Sequence, residues 1–97
     1  MGYSDDVLAD IRLRILRVLS DAESYTVNEV TLRAALRPLH DISRDRLRTA
    51  LDWLDEQGYV VAQQPGGVWL ATLTGRGEDV AAGRSHVPGV RRPEPGE

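Results

Sequence analysis

The stretch that most constrains this chain is residues 43–58, SRDRLRTALDWLDEQG, which reads as one helix with a start, a face and a stop. The Ser43 hydroxyl can cap first-turn amides, and Gly58 can take the left-handed conformation that ends a helix. Leu47, Ala50, Leu51 and Leu54 recur at helical spacing and form one apolar stripe for a core. Arg44, Asp45, Arg48 and Thr49 point away from that stripe near the N-terminus, while Asp52, Asp55 and Glu56 crowd the later turns. A helix buried on one side and Arg-bearing at its exposed front has the form of a DNA-reading helix. Many ordinary surface helices share that form, so the rest of the chain has to separate the two readings.

Before it, Ser4 precedes Asp5 and Asp6, a cap followed by acids that suit the positive end of a helix dipole. This first helix is expected to run to about Ser20, with Val7, Leu8, Ile11, Ile15, Val18 and Leu19 on its core face. Leu13 falls nearly opposite that face, with Leu16 between. Two apolar residues off the stripe suggest a partner surface, most simply a second copy of the chain, so Leu13 and Leu16 are the expected dimer interface. Residues 25–27 have the make-up of a very short strand. Asn28 reads as an N-cap and Glu29 as a first-turn acid of a second helix. Val30, Leu32, Ala35 and Leu36 are its apolar contacts, and Arg33 and Arg37 lie four apart on its polar side. Pro38 closes it, and residues 39–42 lead tightly to Ser43, giving helix, turn, helix.

After Gly58, YVVAQQ (59–64) and VWLATL (68–73) flank Pro65-Gly66-Gly67, the signature of two antiparallel strands and a turn. Thr74 can cap a last helix through about Ala82, with Gly75 and Gly77 weakening its start and Gly83 ending it. Residues 1–83 are therefore expected to form an α+β winged helix-turn-helix domain of order α-β-α-α-β-β-α. Residues 84–97, with three Pro and two Gly, cannot bury enough to fold alone and are expected to be a disordered or extended tail.

Ninety-seven residues with 41% hydrophobic content provide one modest core, and the lack of Phe makes it aliphatic. The absence of Cys excludes disulfides, thiol nucleophiles and Cys-ligated metals. The acidic start is not a signal peptide, and no apolar run approaches the ~20 residues that span a bilayer, so a soluble cytoplasmic protein without a membrane partner is expected. His40, beside Asp41 in the helix–helix turn, and His86 in the tail form neither a triad nor a metal site. GRGEDV lacks phosphate-loop spacing. A non-enzyme without cofactor or metal is the expectation.

The net charge of −3 disfavours nucleic acid only if it is spread evenly. Residues 24–49 carry five Arg against three acids, whereas residues 50–82 carry one Arg against five. All twelve basic residues are Arg, the better planar donor to guanine edges and phosphates. A DNA-binding reading places Arg44, Arg48 and Thr49 at a major groove and uses Arg33, Arg37 and Arg46 on phosphates or as support. It requires the front guanidinium groups to stand free. Helical pairs Asp45–Arg48 and Arg48–Asp52 oppose it by only ~0.2–0.5 kcal/mol each, which phosphate can displace. The turn region 63–69 has no Lys or Arg, although a wing that enters a minor groove normally brings a cation. Trp53 and Trp69 read as packing residues.

LRILRVL near the start, SRDRLRTALDWLDEQGYV, GGVWLATLTGRGEDVAAGR and VPGVRRP resemble the small winged-helix proteins of Mu-like phages and prophages, loosely labelled ArsR-like. The resemblance spans nearly the whole chain. It implies a winged-helix fold and a DNA-binding dimer; a homodimer joined through the first and last helices is the expected arrangement. Metal-sensing ArsR members carry a cysteine motif on the reading helix, which this chain lacks, so metal sensing is not implied. The expected function is binding of double-stranded DNA in transcriptional regulation or DNA handling. The alternative is a protein-interaction adaptor in phage assembly with a phage or host protein partner, favoured by the acid-rich later surface and the bare wing.

Overall fold

The structure, a computed structural model, describes residues 4–97. These residues form four α-helices and a three-stranded antiparallel sheet, in the order helix, strand, helix, helix, strand, strand, helix read from the sequence. Among the described residues no helix is long and apolar enough to cross a membrane.

Helix α1 (Asp5–Asp21) begins where the Ser4 hydroxyl accepts a hydrogen bond from the Val7 amide, with Asp5 and Asp6 in its first turn. It packs on α2 (Glu29–Leu36), α3 (Arg44–Glu56), α4 (Gly75–Ala81) and the central strand. Being covered by so many elements, it has more than one interior stripe. Leu13 and Leu16 are both 0% exposed within this one chain, so they form no dimer surface. The expectation failed because helical periodicity assumes a single covered face.

Between α1 and the sheet the chain turns sharply through Ser24 and Tyr25, both left-handed at φ of +57° and +56°. Tyr25 therefore belongs to this turn, and strand β1 (Thr26–Asn28) starts one residue later than expected. Its last residue, Asn28, caps α2 by accepting from the Thr31 amide. Ser43 caps α3 in the same way through the Arg46 amide, and Leu47, Ala50, Leu51 and Leu54 are all buried. Strands β2 (Val60–Gln63) and β3 (Leu70–Leu73) meet across a turn at Pro65–Gly67, and β3 lies between β1 and β2. Ala71 and Leu73 alternate inward on β3, while outward Thr72 shares a 2.9 Å hydroxyl contact with Thr26 of β1.

Helix α4 is capped by Thr74, whose hydroxyl accepts from the Gly77 amide. Gly77 looked like a helix-weakening residue, but it has a packing role. A Cβ there would lie 2.0 Å from the Tyr59 carbonyl oxygen, so only glycine lets α4 approach the start of β2 this closely.

The tail departs furthest from expectation. Residues 84–97 form neither helix nor strand, yet they fold back across α1 instead of trailing away. The Arg91 amide donates to the Ala9 carbonyl at 3.0 Å, Arg12 donates to the Gly89 carbonyl, and Val90 joins the core at 8% exposure. Composition rightly says that this segment cannot fold alone. It is silent on docking to a surface that already exists.

Candidate functional site

Residues 37–43 join α2 to α3, and the joint is clipped from within: the half-buried Arg33 donates its Nε to the Ile42 carbonyl at 2.7 Å. This uses one of five guanidinium N–H donors. Arg33, Arg37 and Arg44 then line one open cleft of 310 Å³ together with Glu29, Val30 and Ala34. Helical spacing sets Arg33 and Arg37 one turn apart on the outer side of α2, and the Ser43 cap fixes Arg44 as the first residue of α3. Arg37 makes a loose 3.8 Å pair with Asp41, both side chains largely in water, a contact worth at most about 1 kcal/mol. Arg44 is exposed, and among the described residues no carboxylate stands within ion-pairing distance of it.

Arg48 corrects a central expectation. It is not free: its Nε and Nη2 donate to the two oxygens of Glu29, each at 2.8 Å. The partner is neither Asp45 nor Asp52 of its own helix. Glu29 is 4% exposed, and its carboxylate also accepts from the Trp69 amide at 2.8 Å, while its own amide donates to the Trp69 carbonyl. The Arg48 hydrogen bonds outweigh burial and hold the Glu29 carboxyl down at about 2. Arg48 further reaches the Gly67 carbonyl and lies 5.5 Å from the centre of the Trp69 ring. One ion pair thus ties together the start of α2, the middle of α3 and the β2–β3 hairpin.

The remaining expected residues lie elsewhere. Thr49 is exposed, but its hydroxyl donates to the Asp45 carbonyl at 2.9 Å. Arg46 lines a separate crevice against α1 with Leu8, Ile11 and Ile42, rather than the tri-arginine cleft. Of the six residues read as DNA contacts, the structure unites Arg33, Arg37 and Arg44 and sets apart Arg46, Arg48 and Thr49. Glu29 was missed as a site residue because an acid after Asn28 already had a sufficient local explanation in the helix dipole.

Behind the joint, Asp10 of α1 binds His40 Nε2 at 2.5 Å, the Arg91 Nε of the tail, and the Arg14 Nε at 3.3 Å. Burial pushes the Asp10 carboxyl up, but the hydrogen bonds from His40, Arg91 and Arg14 overcome it and hold it at about 2. Arg12 stacks 4.0 Å over Trp53, itself 6.4 Å from the Tyr59 ring. Trp53 and Trp69 both pack against the core, as their sequence context indicated.

Four helices around a three-stranded antiparallel sheet define a small α+β protein, here with a tri-arginine cleft at its α2–α3 joint. No family model matches the chain, and no solved structure matches it. It is 44% identical over 93 residues to the protein described as "uncharacterized protein gp26" of Escherichia phage Mu, covering 95% of this chain and 96% of that relative. An uncharacterized protein of Haemophilus influenzae Rd is 41% identical over 78 residues, which is 78% of this chain and 76% of the relative. The chain belongs to the family of phage Mu gp26 and is a Mu-like phage protein.

Proposed function

We propose that this protein is a winged-helix DNA-binding protein whose contact surface is the cleft formed by Arg33, Arg37 and Arg44. The observation that carries the reading is the gathering of three arginines along one 310 Å³ cleft, where the acid among the described lining residues, Glu29, is already matched by Arg48. Local positive charge of this kind favours phosphate whatever the sign of the whole chain. The β1-β3-β2 sheet, with the β2–β3 hairpin at one edge, agrees with the winged-helix arrangement read from the sequence. The acids of the back of α3 stand away from the cleft. Asp55, for one, accepts from the Ala62 amide at 3.0 Å.

The test is titration of a short random-sequence duplex at low and moderate salt, read by fluorescence anisotropy. Binding that weakens with salt supports the proposal. No binding even at low salt overturns it.

A second reading, a protein-interaction adaptor, draws on two side chains. Val30, in the cleft, is 68% exposed, and Leu39, in the joint, is 60% exposed. Apolar groups held in water beside cations suit a protein partner. That reading survives only if duplex DNA does not bind.

A further inference from the structure

We infer that the protein holds duplex DNA by its phosphates and does not discriminate base sequence. The inference rests on the DNA-binding reading and narrows it from operator recognition to sequence-indifferent DNA handling.

Base readout requires side chains with uncommitted donors or acceptors along the face that enters a groove. On α3 those positions are Arg44, Asp45, Arg48, Thr49 and Asp52. Arg48 is the residue placed to read guanine with a two-pronged contact, and both prongs are occupied by Glu29. Turning Arg48 toward a base strips the partner from a carboxylate that is only 4% exposed, which is strongly unfavourable. The Thr49 hydroxyl is committed to the Asp45 carbonyl. Asp45 and Asp52 are exposed acids, repelled by the flanking phosphates. The hairpin turn Gln64–Val68 brings no cation to a minor groove, and its Gly67 carbonyl points its lone pairs at Arg48. Of these positions Arg44 remains at the front of the helix, and Arg46, the other first-turn arginine, lines the crevice against α1.

Phosphate contact makes the opposite demand, for charge without a fixed acceptor pattern, and the cleft meets it. Arg33 keeps donors beyond its bond to Ile42, Arg37 makes a loose 3.8 Å surface pair with Asp41, and Arg44 is exposed. Three phosphates neutralised give a slope of log affinity against log salt of about −2.7.

The test is selection from a random duplex library with the full chain, followed by affinities on AT-rich and GC-rich duplexes for wild type and Arg44→Ala. The expected result is no enriched motif, affinities within about tenfold across sequences, and a uniform loss in Arg44→Ala, against the roughly 10³-fold or greater preference of a specific binder. An enriched motif, or a loss in Arg44→Ala confined to one sequence class, overturns the inference and leaves the DNA-binding reading intact. Absence of binding to any duplex at low salt overturns both.

Discussion

Glu29 and Arg48, nineteen residues apart in the chain, meet through two parallel 2.8 Å hydrogen bonds at the point where α2, α3 and the hairpin converge. The carboxylate is almost wholly buried and accepts a third bond from the Trp69 amide. The costly break is the loss of Arg48, which leaves a buried carboxylate charged and without its partner, whereas Arg48 itself keeps part of its side chain in water. The neighbouring cleft thereby keeps Arg33, Arg37 and Arg44 as its net charge, while Arg48 serves to hold the fold.

Breaking the pair comes first. Arg48→Ala is expected to lower unfolding stability by more than the roughly 1 kcal/mol of an exposed pair, since it leaves Glu29 buried without its cation. The double variant Arg48→Met/Glu29→Leu recovers much of that loss. Urea midpoints with unchanged slopes measure both. A loss below about 1 kcal/mol in Arg48→Ala is the value of an exposed pair and contradicts the account.

Acid should act through the same group and through Asp10. Both carboxyls lie at about 2 in the folded protein, against ordinary values of 4.5 for Glu and 3.8 for Asp. A depressed folded value means that the unfolded chain takes up protons first. The stabilisation is therefore complete above the ordinary values and is lost as the pH falls from about 4.5 toward 2. The share of stability held by these two carboxyls is expected to fall away below about pH 4.5, with a shallower acid limb in Glu29→Gln. An acid limb unchanged in Glu29→Gln sinks this assignment.

Two glycines of α4 should respond in opposite directions. At Gly77 an added methyl meets the Tyr59 carbonyl at 2.0 Å, and Gly77→Ala is expected to destabilise by about 3 kcal/mol or more. At Gly75 nothing lies within 4 Å, and Gly75→Ala is expected to stabilise by about 0.4–1 kcal/mol through the unfolded chain. Melting temperatures that move the same way in both variants contradict the close approach of α4 to β2.

The docking of the tail is open to the same treatment. Gly89 has φ +89°, and a Cβ there would come within 2.7 Å of the Trp53 ring. Gly89→Ala is expected to lift residues 84–97, to abolish hydrogen-exchange protection of the Arg91 amide bonded to Ala9, and to shift Trp fluorescence to the red. Retained protection at Arg91 means that the tail is held by other contacts.

What the sequence made legible is local. Ser4, Asn28, Ser43 and Thr74 announce their helices because a cap and its target amide lie three residues apart, and each is found capping. Pro65-Gly66-Gly67 marks the hairpin for the same reason. Arg33, Arg37 and Arg44 are candidates on charge and on their places in a helix-turn-helix, and the joint brings them together. Relations across the chain were not legible. Glu29 carries no mark that its partner is Arg48, Leu13 carries none that α4 and the sheet also cover α1, and Gly77 carries none that the Tyr59 carbonyl lies against it. The pattern of a single element reports one face and its caps, whereas these facts belong to pairs of elements.

The most direct test of the central claim, that the Arg33–Arg37–Arg44 cleft is the DNA surface, is residue-by-residue NMR shift mapping on adding a short duplex at low salt. Shifts are expected to concentrate at Val30, Arg33, Arg37 and Arg44 and to be suppressed by added salt, with Asp10, Arg12 and Arg91 unmoved. Shifts centred on α1 and the tail, or no shifts with an intact fold, would contradict it.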